Sequence, residues 1–449
     1  INFPDIDLEK ISNFKKNSFH VIKKNLTPAE YNKALILGEP SIELVRNETR
    51  VYPNKNLFSH IIGNVDVDQK GVSGIELFLD EEIKNKVKID EPIILSVDQN
   101  IQFIIRETLK ESMSIFDAKG ASGILLDAQS GKVLSMISLP DYNPNNRKEL
   151  ANKNYLFNKN TKGLYELGSI FKTFVIANAL EKKIVTRDKI YKNLPKEVKC
   201  GKFPIREYNY SLDKKNLTVN DILVESSNIG TIRIIQESGL DSYRKFLENL
   251  EIFNYSKIEL PEVSASTKKR WGKCNTLTAG YGHGINTTPI QLTRAFAAII
   301  NGGYLFDVSL LKNKDPKFKS KIISKKNSET MRKILRTNVD KNYTRGGSGR
   351  KADIKGYNVM GKTGTAEKPL KLSRGYSNEI LNIFTSAFEV NKKFYVLTVV
   401  IDEPKGSKKL WGHNRREAGW NAGYVNGQII EKIGPILNTL KFDEYVKLN

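Results

Sequence analysis

The sequence has few of the side chains that hold metal ions in proteins. Its 449 residues include only two cysteines and four histidines, which are Cys200, Cys274, His20, His60, His283 and His413. They form neither a CxxC motif nor an HxxH pair, and such spacings are typical of metal sites. The sequence therefore predicts no metal centre. The two cysteines are compatible with a disulfide and with two free thiols, because sequence alone does not give the distance between them.

Long apolar runs are also absent. The longest, residues 394–401, has the length of a β-strand and is far shorter than the roughly 20 apolar residues of a membrane-spanning helix. The chain begins at Ile1, and no signal peptide is recognisable. Its length corresponds to two or three domains, which can bury a large core.

Acidic residues are outnumbered by basic ones. The chain has 72 lysines and arginines and 50 aspartates and glutamates, so its formal charge is 72 − 50 = +22. Such an excess is found in proteins that bind nucleic acid or anionic membranes. Here the lysines are spread evenly, and no recognition helix or aromatic-rich RNA motif accompanies them. We therefore predict a solvated basic surface and no nucleic-acid partner, while proximity to an anionic lipid surface stays open.

Residues 1–92 are predicted to form a small, non-catalytic pedestal domain. Thr27, Pro28 and Glu30 have the spacing of a helix N-terminus, with a capping threonine, a proline at the first position and a glutamate at the third. Residues 50–53, 59–63 and 71–76 are short pieces rich in Gly and Pro. This composition favours strands and turns over helices.

Residues 93–449 have the pattern of one α+β domain. Apolar periodicity predicts a helix over 97–116, and β-rich runs predict hairpins from 122–127 with 132–138 and from 382–388 with 394–401. A helical middle, 169–300, lies between them. The last segment, 424–440, is predicted as an amphipathic helix that Gly434 and Pro435 bend or break. We expect an antiparallel sheet with helices on its faces.

The first chemical motif is Gly-Ser-Ile-Phe-Lys at 168–172. The apolar residues that follow predict a buried helix of three to four turns, with Ser169 in its first turn and Gly168 allowing a sharp bend. Lys172, three residues later, lies on the same face and can reach the Ser169 hydroxyl. The helix N-terminus favours a developing alkoxide, so a serine can become a nucleophile without a histidine. Alone the pattern is weak, because Ser-x-x-Lys recurs in this lysine-rich chain.

Two further motifs follow. Ser226 and Asn228 form a Ser-x-Asn at the end of a helical stretch, where both side chains can point into a cleft or merely cap a turn. Lys362, Thr363 and Gly364 begin the stretch Lys-Thr-Gly-Thr. In an extended strand Thr363 and Thr365 share a face, and the glycine allows another backbone to approach. The alternative is an ordinary edge strand weakened by glycine.

The three motifs in this order are typical of penicillin-binding proteins and class A β-lactamases. The chain resembles the class B, division-type penicillin-binding transpeptidases over nearly its whole length. The stretches that carry this resemblance are residues 50–53, 71–76, 165–169, 225–230, 280–292 and 361–367, and residues 419–423 are similar to alphaproteobacterial members. It departs from many members at Leu167, where they have proline.

The resemblance implies a fold, a reaction and a catalytic set. The fold is a transpeptidase domain like that of serine β-lactamases, with a helical subdomain. Ser169 attacks the penultimate carbonyl of a peptidoglycan stem peptide that ends in D-Ala-D-Ala, and a neutral Lys172 takes its proton, a state that burial and the nearby Lys362 cation favour. Ser226 passes a proton to the leaving D-Ala, Lys362 orients Ser226, and Asn228 holds the peptide amide. An amine from a second stem then displaces Ser169 and cross-links the two stems.

The resemblance also implies the substrate contacts and the surroundings. Thr363, Gly364 and Thr365 bind the substrate, with the two threonines on its terminal carboxylate, and the N–H groups of Ser169 and Thr365 hold the oxyanion. β-Lactams mimic the dipeptide and acylate Ser169. No metal or organic cofactor is called for. The expected partners are other division proteins, including a glycosyltransferase, at the periplasmic face of the inner membrane, with an anchor helix that precedes this chain.

Other functions share parts of this pattern. A serine β-lactamase has the same three motifs but needs a base that activates water, and no convincing Glu-x-x-Leu-Asn lies between Asn228 and Lys362. The Glu248-Asn-Leu fragment is interpreted as helix surface. A non-catalytic penicillin-binding sensor or scaffold stays open, because intact motifs do not prove turnover. A bifunctional class A enzyme is disfavoured by the short pedestal and by the absence of a Glu-Asp-x-x-Phe motif.

Overall fold

The computed structural model describes residues 19–23, 26–45, 49–87, 91–201, 203–207, 215–266, 271–314, 317–370 and 375–440. The chain divides into two compact units, 1–53 with 67–69 and 54–66 with 70–449. The described part of the first unit contains helix α1, Pro28–Ile36. Its predicted N-terminus is confirmed, because the Thr27 hydroxyl accepts the Glu30 N–H and the Glu30 carboxylate accepts the Thr27 N–H. The predicted domain boundary between residues 92 and 93 stays a prediction.

The second unit begins with more helix than the sequence indicated. Residues 59–87 form helices α2 (Ser59–Ile62), α3 (Gly74–Phe78) and α4 (Asp80–Val87), with the paired strands β1 (Asn64–Val65) and β2 (Gly71–Ser73) between α2 and α3. The prediction of mainly strand and turn is therefore wrong over 59–62 and 74–76, whereas the strand at 71–73 confirms it there. Ile61 and Ile75 are buried in the main core, and this packing outweighs the weak local preference of Gly-rich segments.

The remaining strands are, in chain order, β3 (Gly120–Asp127), β4 (Val133–Leu139), β5 (Ile190–Tyr191), β6 (Glu197–Cys200), β7 (Phe203–Arg206), β8 (Leu217–Thr218), β9 (Tyr304–Phe306), β10 (Phe318–Lys321), β11 (Met360–Pro369), β12 (Tyr376–Val390) and β13 (Lys393–Asp402). Five of them form an antiparallel sheet in the order β11-β12-β13-β3-β4. Both predicted hairpins are confirmed as β3–β4 and β12–β13. Strand β11, which carries the Lys-Thr-Gly motif, lies at an edge of this sheet.

The helices after α4 are α5 (Gln99–Ile115), α6 (Lys153–Leu156), α7 (Phe171–Glu181), α8 (Val219–Val224), α9 (Asn228–Ser238), α10 (Leu240–Asn249), α11 (Lys273–Ala279), α12 (Pro289–Ile300), α13 (Lys325–Val339), α14 (Lys408–Trp411) and α15 (Ala422–Thr439). Short 3-10 turns occur at Lys55–Phe58, Glu149–Ala151, Gly168–Ile170, Arg350–Ala352 and Ala418–Trp420. Of the helices described, none combines the length and apolar character needed to cross a membrane.

The sheet separates two hydrophobic cores. On β13, Val396 and Val400 belong to the core that includes residues of α7 and α12, whereas Leu397 and Val399 belong to the core that includes residues of α5 and α15. Neighbouring residues of a strand face opposite sides of a sheet, so the apolar run of β13 covers both cores at once. This explains why its sequence is continuously hydrophobic rather than alternating. The predicted α+β architecture is confirmed.

Helix α15 continues through Pro435 without interruption. The predicted break at Gly434 and Pro435 is therefore wrong, whereas the alternative, a bend, stays a prediction. A side chain at Gly434 would overlap the ring of Tyr357, since its Cβ would lie 2.2 Å from Cζ. The glycine thus allows the helix to pack closely on its neighbour, and this packing stabilises the helix although the proline lacks an N–H group.

Candidate active site

Ser169 lies in the 3-10 turn Gly168–Ile170, which leads directly into α7. Gly168 has φ +59°, a backbone region that favours glycine. Every residue of α7 from Phe171 to Leu180 is buried, whereas Ser169 keeps part of its surface exposed to the cleft described below. The predicted buried helix, with the serine in its first turn, is confirmed.

Two lysines from distant segments meet at the hydroxyl of Ser226. Lys172 Nζ lies 3.0 Å from Ser226 Oγ, and Lys362 Nζ lies 3.1 Å from the same atom. The Lys172 amine also donates to the Ser226 carbonyl oxygen. Ser226 has φ +55°, a conformation that is uncommon for residues with a side chain and persists where surrounding contacts hold it. The motifs at 169–172, 226–228 and 362–364 therefore meet at Ser226 Oγ, which both lysines contact.

Burial controls the charge of this cluster. Lys172 and Lys362 are 1% and 0% exposed. Loss of hydration lowers the pKa of Lys362 to about 7. The Lys362 amine is therefore partly neutral near pH 7. The two lysines together thus carry fewer protons than two lysines in water would. Proton transfer between groups is easiest when their proton affinities are close to the working pH.

Asn228 is the first residue of α9, and Glu207 fixes this turn. The Glu207 carboxylate accepts the Asn228 N–H at 2.9 Å, the Ile229 N–H at 3.2 Å and the Ser227 hydroxyl. Asn228 Nδ2 donates to the Arg206 carbonyl oxygen at 2.9 Å. Glu207 is 7% exposed, and its carboxylate lies where the N-terminus of a helix favours negative charge. Sequence reasoning missed Glu207, because it lies about twenty residues before the motif.

Strand β11 places its two threonines as alternation predicted. Thr363 and Thr365 both border the cleft. The Thr363 hydroxyl shares a 2.6 Å hydrogen bond with Ser348 Oγ, and Thr365 Oγ1 accepts the Ala418 N–H at 3.4 Å. Segments 348 and 418, which the sequence did not single out, therefore hold the side chains of the Lys-Thr-Gly-Thr strand.

Backbone segments touch each other around Ser169 at three glycines. A Cβ on Gly364 would lie 2.2 Å from the Leu167 carbonyl oxygen, and one on Gly168 would lie 2.7 Å from that of Thr365. A Cβ on Gly282 would lie 2.1 Å from the Gly168 carbonyl oxygen. The turn that carries Ser169 is therefore held between β11 and the 280–284 loop by direct backbone contact.

An open cleft of about 1660 Å³ passes over these residues. The predicted site residues that border it are Ser169, Lys172, Ser226, Asn228, Thr363 and Thr365. Lys362 and Gly364 do not border it; the Lys362 amine reaches Ser226 from within the protein. The cleft is larger than typical small-molecule sites and has room for an extended peptide. Glu248 is exposed on α10 and does not border the cleft, as its interpretation as helix surface predicted.

A second cluster in the cleft was also missed as a unit. Glu166 Oε1 accepts the Tyr376 hydroxyl at 2.9 Å and the Gly284 N–H at 3.1 Å, and Glu166 Oε2 lies 3.6 Å from His283 Nδ1. The His283 ring contacts those of Tyr281 and Tyr376, with centroids 6.2 and 4.9 Å away. Residues 166, 281–284 and 376 are distant in sequence, so no local pattern indicates their association.

The loop after α13 closes one side of the site. The Tyr343 hydroxyl donates to Asp221 Oδ1 at 2.6 Å, and Arg345 forms an ion pair with Glu225. These contacts join residues 343–345 to α8 and the turn that carries Ser226. No signal in the sequence linked the two segments.

Cys200 and Cys274 form a disulfide, which settles the two alternatives that the sequence left open. It joins the β6–β7 hairpin to α11. Glu207 follows the hairpin, and the 280–284 loop follows α11. Both segments contribute to the walls of the site. The bond therefore connects the support of Asn228 with the loop that carries His283.

Comparison with known proteins agrees with this geometry. The penicillin binding protein transpeptidase domain matches residues 121–418. The chain is 31% identical over 433 residues to the probable peptidoglycan D,D-transpeptidase FtsI of Caulobacter vibrioides, covering 94% of this chain and 72% of that protein. It is 27% identical over 430 residues to the peptidoglycan D,D-transpeptidase FtsI of Escherichia coli, with coverages of 88% and 70%. The solved transpeptidase domain of Burkholderia pseudomallei penicillin-binding protein 3 is similar at a TM-score of 0.65 and 26% identity, over 77% of this chain and 96% of that one. The chain therefore belongs to the family of penicillin-binding protein transpeptidases that includes the FtsI proteins.

Proposed function

We propose that this protein is a peptidoglycan D,D-transpeptidase that cross-links stem peptides at the division septum through an acyl-enzyme on Ser169. One observation carries the proposal. The Ser226 hydroxyl contacts the amines of both Lys172 and Lys362, at 3.0 and 3.1 Å, in the cleft that Ser169 borders. A serine nucleophile beside buried amines and a bridging hydroxyl suits acyl transfer that needs no histidine.

Acylation begins when Ser169 Oγ attacks the carbonyl carbon of the penultimate D-Ala. Lys172, in its neutral form, takes the hydroxyl proton. The proton then passes through the Ser226 hydroxyl to the nitrogen of the leaving D-Ala, so that the C–N bond breaks and the amine departs neutral. Lys362 holds the Ser226 hydroxyl in place for this transfer. Its partial neutrality near pH 7 limits the positive charge that a second ammonium group would add beside Lys172.

The substrate would lie along β11. Thr363 and Thr365 bind its terminal carboxylate, Gly364 allows its backbone to approach, and Asn228 holds a peptide amide. The N–H groups of Ser169 and Thr365 stabilise the oxyanion, a contribution that is typically worth orders of magnitude in rate. Contact between the Gly168 and Thr365 backbones supports this pairing, and the position of β11 at an edge of the sheet suits an added peptide strand.

The same chemistry accounts for inhibition by β-lactams. Their strained amide presents a carbonyl carbon to Ser169 in the position of the D-Ala-D-Ala bond, and the tethered leaving group cannot diffuse away. We further propose that the protein acts at the periplasmic face of the inner membrane, anchored by a preceding helix, with other division proteins that include a glycosyltransferase.

Covalent labelling with a fluorescent penicillin tests the nucleophile. We expect a stable adduct on the wild type, seen by gel fluorescence and by intact mass over several hours, and none on S169A. S242A is the matched control, because Ser242 begins another Ser-x-x-Lys on α10, away from the cleft, and should label like the wild type. A short-lived adduct with steady consumption of penicillin would indicate a β-lactamase instead. A folded wild-type protein that forms no adduct would refute the role of Ser169.

A further inference from the structure

The cluster of Glu166, Tyr281, His283 and Tyr376 lies in the cleft but has no part in the acylation chemistry above. All four residues border the cleft. The His283 side chain is 46% exposed and that of Glu166 is 17% exposed, so the imidazole is open to the cleft while the carboxylate lies behind it. The carboxylate is fixed by its bonds from Gly284 and Tyr376.

This cluster adjoins the nucleophile. Glu166 precedes Ser169 by three residues, and Gly282, next to His283, contacts the Gly168 backbone. His283 therefore belongs to a wall of the cleft beside Ser169. Lys172 and Ser226 border the same cleft from α7 and the α8–α9 turn, so the two sets of polar groups come from different segments of the chain.

Few of the surrounding groups exchange protons near neutral pH. Burial, with a contribution from Glu166, raises the pKa of Tyr281 to about 12 and raises that of Tyr376 further. Glu367 also borders the cleft and interacts with Tyr376. Both tyrosines therefore stay protonated at working pH. Histidine is the side chain that exchanges protons most readily between pH 5 and 8, and His283 is the one histidine that borders the cleft in the described part of the chain.

We propose that Glu166 and His283 receive and deprotonate the acceptor amine of the second stem peptide. This inference rests on the proposed transpeptidase function and assigns its second half-reaction. A primary amine reaches the cleft as an ammonium ion, which cannot attack a carbonyl until it loses a proton. The Glu166 carboxylate and the neighbouring aromatic rings attract a cation, and the imidazole takes the proton.

The protons and bonds of this step balance. The ammonium ion carries one proton more than the nucleophilic amine, and this proton goes to His283. The neutral amine attacks the ester carbonyl, a C–N bond forms, and the bond between that carbon and Ser169 Oγ breaks. After the attack, the nitrogen carries one proton more than the amide product. This proton passes through Lys172 and Ser226 to Ser169 Oγ. His283 then releases its proton to solvent, since its ring is half exposed, and the Glu166 carboxylate stabilises the imidazolium in the meantime.

The test separates the two half-reactions. Acylation is followed with fluorescent penicillin, and aminolysis is followed with a D-alanyl thioester as donor and D-alanine as acceptor, from pH 6 to 9. Wild type is compared with H283Q, E166Q and H413Q. His413 is the matched control, because it meets the Trp420 ring edge to face and does not itself border the cleft, and its variant should leave both rates unchanged.

We expect H283Q to lower the ratio of aminolysis to acylation about a hundredfold at pH 7, in the range typical of general base catalysis. E166Q, which keeps a hydrogen-bonding oxygen but loses the charge, should lower it about tenfold. Aminolysis by H283Q should rise about tenfold per pH unit as free amine accumulates, whereas wild-type aminolysis should depend less steeply on pH, because His283 removes the proton within the cleft. A purely structural role of His283 would not change this profile.

Two results would overturn the inference. One is a wild-type ratio and pH profile in H283Q, and the other is an equal fall of acylation and aminolysis in that variant. A wild-type protein that resists acylation would refute the proposed function itself, and the acylation arm identifies that case before any acceptor is added.

Discussion

Removal of the Glu207 carboxylate tests how the Ser-x-Asn motif is held in place. Glu207 accepts the backbone N–H groups of Asn228 and Ile229 and the Ser227 hydroxyl. Hydrogen bonds to a charged group contribute about 1.5–3 kcal/mol each, and a buried donor without a partner costs about 1–3 kcal/mol. E207A removes the acceptor of all three donors, at a position where Glu207 itself is only 7% exposed. Allowing for water that enters the space, we expect a loss of about 3 kcal/mol for the local structure.

This loss should appear in the rate of acylation. About 3 kcal/mol corresponds to roughly a hundredfold change in the population of the native first turn of α9. We therefore expect the second-order rate constant for penicillin acylation to fall between about tenfold and a hundredfold in E207A. E207Q should fall less, because its amide oxygen still accepts one or two of the three bonds. Stopped-flow acylation and thermal unfolding measure the two effects separately.

A neighbouring glutamate provides the control. Glu197 lies on the β6–β7 hairpin that precedes Glu207 and pairs with Arg206, but the two side chains are 41% and 56% exposed. Exposed ion pairs contribute about 0–1 kcal/mol, so E197A should acylate like the wild type. The reasoning is refuted if E207A acylates at the wild-type rate, or if E197A and E207A are equally impaired.

Two further predictions concern stability. Lys362 binds its proton with a pKa of about 7 in the folded protein and 10.5 ordinarily, so between these values the unfolded chain holds more protons. The wild-type free energy of unfolding should therefore rise from pH 7 towards 10.5 by up to about (10.5 − 7) × 1.36 ≈ 5 kcal/mol, and the rise should be absent from K362M in urea titrations. A parallel rise in both proteins would contradict this. The Cys200–Cys274 disulfide closes a loop of 74 residues, and loop entropy gives about 4 kcal/mol. C200S/C274S should accordingly unfold at a lower temperature, and the wild type should lose the same increment on reduction; equal melting temperatures would exclude this contribution.

Local sequence patterns predicted much of the fold. The helix over 99–115, the two hairpins and the buried helix after Ser169 follow from apolar periodicity and turn residues, which act over a few positions. The errors occurred where distant packing decided the outcome. Residues 59–62 and 74–78 are helical because they pack on a core built from distant segments, which their own sequence does not reveal. Helix α15 continues through Pro435, and Gly434 lets it pack closely on Tyr357.

The site was predictable as a set of motifs but not as a set of contacts. Order and spacing indicated Ser169, Lys172, Ser226, Asn228 and Lys362, whereas the sharing of one hydroxyl by two lysines depends on how the helical region packs against β11. The sequence analysis expected Lys362 to be a cation near Lys172. Its complete burial, which no local pattern reveals, instead brings its pKa to about 7.

The three backbone contacts around Ser169 limit how this site can change under antibiotic selection. Any side chain at Gly168, Gly282 or Gly364 would overlap main-chain atoms at 2.7 Å or less, and main-chain atoms cannot be replaced by mutation. A substitution there must displace the nucleophile's own turn and impair cross-linking together with drug binding. Variants that discriminate between a β-lactam and a stem peptide are therefore expected in the side-chain walls of the cleft, outside the catalytic and acceptor-binding residues proposed above, where single changes alter shape and charge without moving Ser169.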